Sequence, residues 1–509
     1  MFIAYTTKNG ILYATLMTSK RKNGKVEKTT CNLGRVLDKE RGIFQNRKRG
    51  VFIYDIISKE YKKTPADFVP NVTKKGHIHL ILDFGDAYFV DEFLKQDGLM
   101  KSMEAIGYGN SDTLKSMLCY YILCGMSNCH ASSWWEGSFA RILYPNANLT
   151  SQRISDFLAA IGKEEKMRCF FAEYFYFLTD KLKGDTGSIL IDSTGLPNSI
   201  HFPLTAISNH NGEINNEVRL IYVTHQQTGL PIYFRYCPGN IIDVTTLART
   251  IIELQENGID TKFSIMDAGY YDNENTNILY ECGISFLLRL KKNLKLYKEL
   301  LKKYLASLQT QENMVKYNSR FVYIKCVECK LVETHKAYAY IGLDLGRKHN
   351  EAAKLFKRAE RCEITTEEVH RAMETQGIFI LVSSRRIAKD KILPLYYTRQ
   401  QIEQIFDIGK NYANFLPLSV QNEATFRGHL LLTFIAAVAV KRIQDHLTKS
   451  EYNPMSMFLN LRNQKCKVYN NTVVTMEAAK KANDCYKLFN LKCPLRIPLP
   501  ESLCGKNSQ

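Results

Sequence analysis

Three acids in this chain stand where an isolated charge would be costly. Asp192 closes an apolar run at 188–192, and Asp267 closes another at 263–267. An unpaired carboxylate at the end of a buried strand is unfavourable unless a partner or a metal ion compensates it. Gly269, two residues after Asp267, lets the backbone turn sharply away from a strand. Singly, each aspartate also fits a loop position or a helix cap. The third acid, Glu403, shares its stretch with Tyr396, Arg399 and Lys410. Three carboxylates suffice to hold two divalent ions, Mg²⁺ or Mn²⁺, because such ions prefer oxygen ligands. Ions about 3.5–4 Å apart activate an attacking oxygen and stabilise a leaving one.

The helix predicted after Pro394 groups these side chains. At about 100° per residue, Tyr396, Arg399, Glu403 and Lys410 fall within a stripe about 60° wide. Ile402, Ile405, Phe406 and Ile408 lie on the opposite side and predict the packing face. A solvated face with pairs four residues apart is the plain alternative. A tyrosine and two cations around one glutamate serve that purpose poorly. They suit phosphate: Arg399 as a fork, Lys410 as a point charge, Tyr396 as a hydrogen-bond donor or a stacking surface. The expected metal ligands are Asp192, bridging, with Asp267 and Glu403.

The surrounding elements predict an α/β fold. Extended runs at 188–192, 217–224 and 231–236 precede a helix at 243–254, a strand at 263–267, a helix at 273–282 and a strand at 284–290. That order is the one of a ribonuclease-H-like core. Residues 293–378 interrupt it and read as an inserted β-rich subdomain. The core then resumes over 379–447, with the helix after Pro394 and a second one near 428–447. Residues 1–90 read as a small β-rich module, a candidate for DNA binding, with Asn23-Gly24 as a hairpin turn. Residues 91–182 read as helical, with Ser151 as an N-cap. The tryptophans Trp134 and Trp135 fall there and read as core or interface. Residues 448–509 carry no assignment.

Five segments together resemble the cut-and-paste transposases of bacterial insertion sequences, enzymes of the DDE type. Tyr396, Arg399, Glu403 and Lys410 stand at the spacing of their Y-R-E-K signature. Asp192-Ser-Thr-Gly195 and Asp267-Ala-Gly-Tyr270 resemble the segments around the first two acids. Pro238-Gly-Asn240 followed by Asp243, and Arg427-Gly-His429, resemble two further segments. The resemblance runs over about 185–445, roughly half the chain. It implies a ribonuclease-H-like fold with a β-rich insertion, and 136 residues separate Asp267 from Glu403 to hold it. It also implies strand cleavage at the ends of a mobile element, 3′-hydroxyl transfer into target DNA, and a homodimer in the DNA complex. Some members pass through a DNA hairpin and hold a flipped base on a tryptophan of the insertion. This chain has no tryptophan there, and Tyr323 and Tyr338 are the candidate substitutes. Two rivals share these motifs: a non-transposing nuclease and a domesticated, non-catalytic DNA-binding protein.

Charge agrees with a polyanionic partner. Of 509 residues, 69 are Lys or Arg and 51 are Asp or Glu, a net charge of +18, although an indifferent basic surface gives the same balance. No signal-type apolar core occurs in residues 1–18, and the longest apolar run, 430–440, is shorter than the roughly 20 residues that span a bilayer. A bacterial cytoplasmic location, at the nucleoid when bound to DNA, is the expectation. The 14 cysteines are too sparse for a disulfide scaffold and read as reduced thiols. Cys326 and Cys329 form the one C-x-x-C; Cys362, His335 and His349 are the nearest further metal ligands, and ordinary thiols on a strand are the favoured reading.

Overall fold

The computed structural model describes residues 1–8, 11–22, 25–64, 80–198, 202–208, 214–332, 335–361, 363–411, 422–469 and 472–499. The chain divides into two compact units: Met1–Ile81 with Lys467–Val474 and Leu495–Gln509, and Leu82–Cys466 with Thr475–Pro494.

The first unit contains a six-stranded antiparallel sheet whose strands follow one another in chain order. Two long strands, Ile11–Lys22 and Lys25–Asp38, form its largest hairpin. The predicted Asn23-Gly24 turn lies outside the described residues. Ala14, Leu16, Leu33, Phe44, Phe52 and Tyr54 form the buried cluster. Asn46 shapes the next basic turn by accepting the Lys48 and Arg49 amides at 3.1 and 2.8 Å.

The second unit is built on a mixed sheet. Its strands are β1 (Ser188–Pro197), β2 (Asn215–His225), β3 (Pro231–Pro238), β4 (Phe263–Met266) and β5 (Ser285–Arg289). Then come β6 (Met314–Tyr317), β7 (Arg320–Val332), β8 (His335–Asp344) and β9 (Ile378–Ser383). Their order across the sheet is β3-β2-β1-β4-β5-β9-β8-β7-β6, and the short strand Ala206–Ser208 pairs with β2. Only β1–β4 and β4–β5 are parallel. Helix α1 (Leu247–Glu256) precedes β4, and α2 (Asn273–Glu281) connects β4 to β5. This is a ribonuclease-H-like α/β core. The segment between β5 and β9 forms no sheet of its own, because β8 pairs with β9 along six residues and carries β7 and β6 with it. Seven helices between Gly85 and Lys181 fill the predicted helical region. Ser151 opens one of them as its first helical residue, and the cap position falls to Thr150.

Two helices that bear on the site differ from the expectation. Pro394 does not open a helix; it sits inside α3 (Lys389–Tyr397). There it removes the bond that the Asp390 carbonyl would otherwise accept, and its ring crowds that carbonyl. Thr398 and Arg399 form a turn, and α4 (Gln400–Asn411) follows. Three-residue bonds bridge the joint: Arg399 N to Tyr396 O at 3.2 Å, Gln401 N to Thr398 O at 2.9 Å and Ile402 N to Arg399 O at 3.1 Å. The predicted packing face holds, since Ile402 and Ile405 are fully buried and Phe406 and Ile408 nearly so.

Helix α5 (Glu423–Leu447) is the central buried helix of this unit. It is long and apolar enough to cross a membrane, yet 83% of its apolar window is buried inside the protein. It lies hard against the helix Ser151–Ile161: a Cβ on Gly428 would collide with the Leu158 carbonyl, and one on Gly162 with the Ala424 carbonyl. Arg427 donates to Gly162 O at 2.8 Å, and His429 Nδ1 meets the Tyr121 hydroxyl at 2.8 Å. The Arg427-Gly-His429 segment is therefore a helix-packing device.

Candidate active site

The strand register brings the first two acids together. Ile191, Met266 and Leu288 stand abreast on β1, β4 and β5. The residues that follow them are Asp192, Asp267 and Arg289. Asp267 leaves its strand as predicted. Asp192 does not end its strand: β1 runs on to Pro197, and Asp192 pairs across with Tyr222 of β2. The pairing of β1 with the longer β2 keeps it extended beyond the parallel part of the sheet.

Arg399, at the joint between α3 and α4, reaches all three acids. Its Nη1 lies 2.6 Å from Asp192 Oδ2 and 3.9 Å from Asp267 Oδ2, and its Nη2 lies 3.1 Å from Glu403 Oε1. Tyr396 donates from its hydroxyl to Asp267 Oδ1 at 3.3 Å. Lys410 donates to Thr194 Oγ1 on β1 at 3.0 Å. The six residues singled out in the sequence thus share one locality. The side chains of Asp267 and Glu403 are 41% and 53% exposed, whereas Asp192 is 14% exposed. Burial pushes Asp192 up to about 7, aided by Asp267 and Asp243 and opposed by Arg399 and the Ser193 amide. Burial likewise pushes the Tyr396 hydroxyl up, so it remains a donor.

Three further residues escaped the sequence reading as site residues. Arg289 ends β5 beside Asp267 and lines a pocket of about 110 Å³ with Arg347, Tyr396, Tyr397, Arg399 and Glu403. Its guanidinium has no hydrogen-bond or ion-pair partner among the described residues. Its position after an apolar strand run, matching Asp267, was the available signal. Half-buried Asp243 pairs with buried Arg219 beside Asp192, with Arg219 Nη1 2.7 Å from Asp243 Oδ1. Asp243 was marked only by its place after Pro238-Gly-Asn240, and nothing in the sequence distinguishes Arg219 from an ordinary strand residue.

Among the described residues, no three His, Cys, Asp or Glu side chains are grouped tightly enough to hold a metal ion. At the acids, Arg399 lies among the three carboxylates. The donor set still fits a hard divalent cation: it is all oxygen, and the three carboxylates already converge on one positive group. Cys326, Cys329, His335 and His349 form no such group, and burial pushes the Cys329 thiol up to about 11. Cys362 lies outside the described residues. Tyr323 and Tyr338 do not line the pocket beside Glu403; Tyr397 does, stacked on Tyr317 at 5.4 Å. Trp134 and Trp135 are half-buried: Trp135 donates to Tyr144 O at 3.2 Å and Trp134 packs on Tyr120.

Residues 184–439 match the family model described as the transposase DDE domain. No curated protein matches the chain. Among solved structures, the chain is similar to the piggyBac transposase in its synaptic complex with hairpin DNA. The likeness has a TM-score of 0.38 and 11% identity, covering 74% of this chain and 79% of that one.

Proposed function

This chain belongs to the transposase DDE domain family, and on that premise we propose that it cuts DNA strands at the ends of a bacterial mobile element and joins the freed 3′-hydroxyls to target DNA. The observation that carries this reading is the convergence of Asp192, Asp267 and Glu403 on the single cation of Arg399. Members of such families work with divalent metal ions, and these three acids are the residues that would hold them, two Mg²⁺ or Mn²⁺ in our reading. When bound, the ions would supply charge neutralisation at the scissile phosphate and lower the pKa of the attacking oxygen. Arg399 has a fork that matches two phosphate oxygens, Lys410 adds a point charge, and Arg289 adds a cation with no partner of its own among the described residues. Tyr396 holds Asp267 by its hydroxyl, and at 7% exposed it acts through that bond rather than as a stacking surface.

The first unit is the proposed DNA grip. Residues 1–81 carry 17 Lys or Arg against 6 Asp or Glu, so +11 of the net +18 falls in this short segment. Arg47, Lys48 and Arg49 crown one exposed turn, where Arg49 stacks 3.9 Å from the centre of the Tyr61 ring. Action on two element ends requires two active sites, which we assign to a homodimer assembled on DNA in the bacterial cytoplasm. The test is cleavage of duplex DNA carrying the element's own ends, with Mg²⁺ or Mn²⁺. Asp192→Ala, Asp267→Ala and Glu403→Ala should each abolish cleavage and leave DNA binding nearly intact, because binding rests on cations. Full cleavage by any of them removes that residue from the site. Inverted repeats flanking the coding sequence would separate transposition from simple nuclease activity.

A further inference from the structure

Arg219, on β2, is 4% exposed, and both its terminal nitrogens meet acceptors. Its Nη1 donates to Asp243 Oδ1 at 2.7 Å. Its Nη2 donates to Ser208 Oγ at 3.2 Å and Gly239 O at 3.4 Å, and lies 3.6 Å from Glu217 Oε1. A buried arginine held this way is a fixed point in the structure, since moving it would strand a charge.

Asp243 carries that fixed point to the acids. Its Oδ1 also accepts the Ser193 hydroxyl at 2.5 Å, and the Ser193 amide donates to Asp192 Oδ1 at 2.9 Å. Its Oδ2 faces the turn after Asp267, where a Cβ on Gly269 would sit 3.0 Å away. Asn275 then ties the two loops together, donating to Val244 O at 2.7 Å and to Tyr270 O at 2.9 Å. A carboxylate braced by a buried arginine is therefore wedged between the residue after Asp192 and the turn after Asp267. The same network accounts for two more motif glycines. A Cβ on Gly195 would collide with the Glu217 carboxylate, and one on Gly239 with the Glu217 carbonyl.

We infer that Asp243, braced by Arg219, is a positioning residue that sets the separation and orientation of Asp192 and Asp267 through Ser193 and the Gly269 turn. It touches neither substrate nor ion; it acts through the two aspartates. The inference rests on the reading of those aspartates as metal ligands. Partners that orient metal ligands typically change metal affinity by about 10–100-fold when removed.

The experiment is Mn²⁺ binding to the full-length chain, read from the paramagnetic resonance signal of the free ion, with the melting temperature measured on each sample. Asp243→Ala should weaken Mn²⁺ binding by about 10–100-fold. Asp243→Asn, which keeps an acceptor for the Ser193 hydroxyl, should recover part of that loss. A folded Asp243→Ala protein with wild-type Mn²⁺ affinity overturns the inference, even if its melting temperature falls, because the pair would then be only structural. Should Asp243→Ala fail to fold, Ser193→Ala decides. It removes one hydroxyl and leaves the Arg219–Asp243 pair in place, so weaker Mn²⁺ binding supports the inference and unchanged binding overturns it. Asp192→Asn is the control for the metal reading itself. If it binds Mn²⁺ as the wild type does, Asp192 is no ligand, and both that reading and this inference fall; if it does not, a normal Asp243→Ala protein condemns the inference alone.

Discussion

The guanidinium of Arg399 lies 2.6 Å from the carboxylate of Asp192, although 207 residues separate them and one belongs to a strand and the other to an interhelical turn. The same guanidinium contacts Glu403 one helical turn ahead and approaches Asp267. One positive group thus engages the oxygens on which a divalent ion would depend, and which an incoming phosphate would repel.

Arg399→Ala should therefore tighten Mn²⁺ binding to the protein without DNA, because it removes a cation that competes for the same three carboxylates. Arg399→Lys should fall between, since a lysine keeps the charge and loses the fork. Titration of Mn²⁺ against the three proteins checks this. Weaker binding by the alanine variant would mean that Arg399 organises the acids rather than competing for them.

Metal affinity should also depend on pH. Burial lifts Asp192 to about 7, so below that pH the carboxyl holds a proton that an ion must displace. Affinity should fall by up to about tenfold per pH unit below 7 and level off above it. Mn²⁺ titrations at pH 6, 7 and 8 test the sign and the position of the bend. A flat profile from 6 to 8 would place the Asp192 proton outside this range.

Much of this site was legible from sequence because its parts are local. Asp267 follows a four-residue apolar strand, and the buried face of α4 is written in Ile402, Ile405 and Phe406. What stayed hidden was tertiary. The break at Thr398–Arg399 left the spacing of the four residues intact, so the helical stripe grouped side chains that the structure also gathers, but on one helix where the structure has two. An arginine inside a strand carries no mark of burial, and Arg219 is fixed by its tertiary partners Asp243, Ser208 and Gly239 together with Glu217. The long-range pairing of β8 with β9 is likewise absent from local pattern, and it decides that the inserted strands extend the central sheet.

The helix contact under the site predicts a stability difference between two glycines. Gly428→Ala places a methyl against the Leu158 carbonyl, which a packed helix pair cannot yield cheaply. A loss of about 1–3 kcal/mol is expected. Gly137 ends a helix, and a Cβ there would have nothing within 4 Å, so Gly137→Ala should be neutral or stabilising by up to about 1 kcal/mol. Thermal melting of both variants checks the contrast, and equal melting temperatures would refute the close packing.

DNA affinity should fall steeply with salt, with a log–log slope of about −0.9 per phosphate contacted. Neutralising Arg47, Lys48 and Arg49 together should flatten that slope if the first unit grips the backbone. A binding titration from low to moderate salt gives both numbers. An unchanged slope in the triple variant would assign the contacts elsewhere, and a slope near zero in the wild type would leave the basic surface without a role.

The phosphate grip separates catalysis from simple charge. Arg399 and Lys410 lie on either side of Glu403 along the chain, and Lys410 reaches β1 at Thr194. If they hold the scissile or adjacent phosphate, Arg399→Ala and Lys410→Ala should slow cleavage at saturating DNA, by weakening transition-state stabilisation. A loss of about 10²–10³ in rate is the scale for removing one well-placed donor. Arg399→Lys should not recover fully, because a point charge cannot span two phosphate oxygens. The two Arg399 readouts then move in opposite directions: the alanine variant binds Mn²⁺ more tightly and cuts more slowly. A residue that merely solvates the helix would change stability by about 0.5 kcal/mol or less and leave the rate alone. Cleavage rate and melting temperature on the same samples decide between the two. Normal rates in both alanine variants would reduce the spacing of Tyr396, Arg399, Glu403 and Lys410 to coincidence, and would remove the phosphate from this side of the acids.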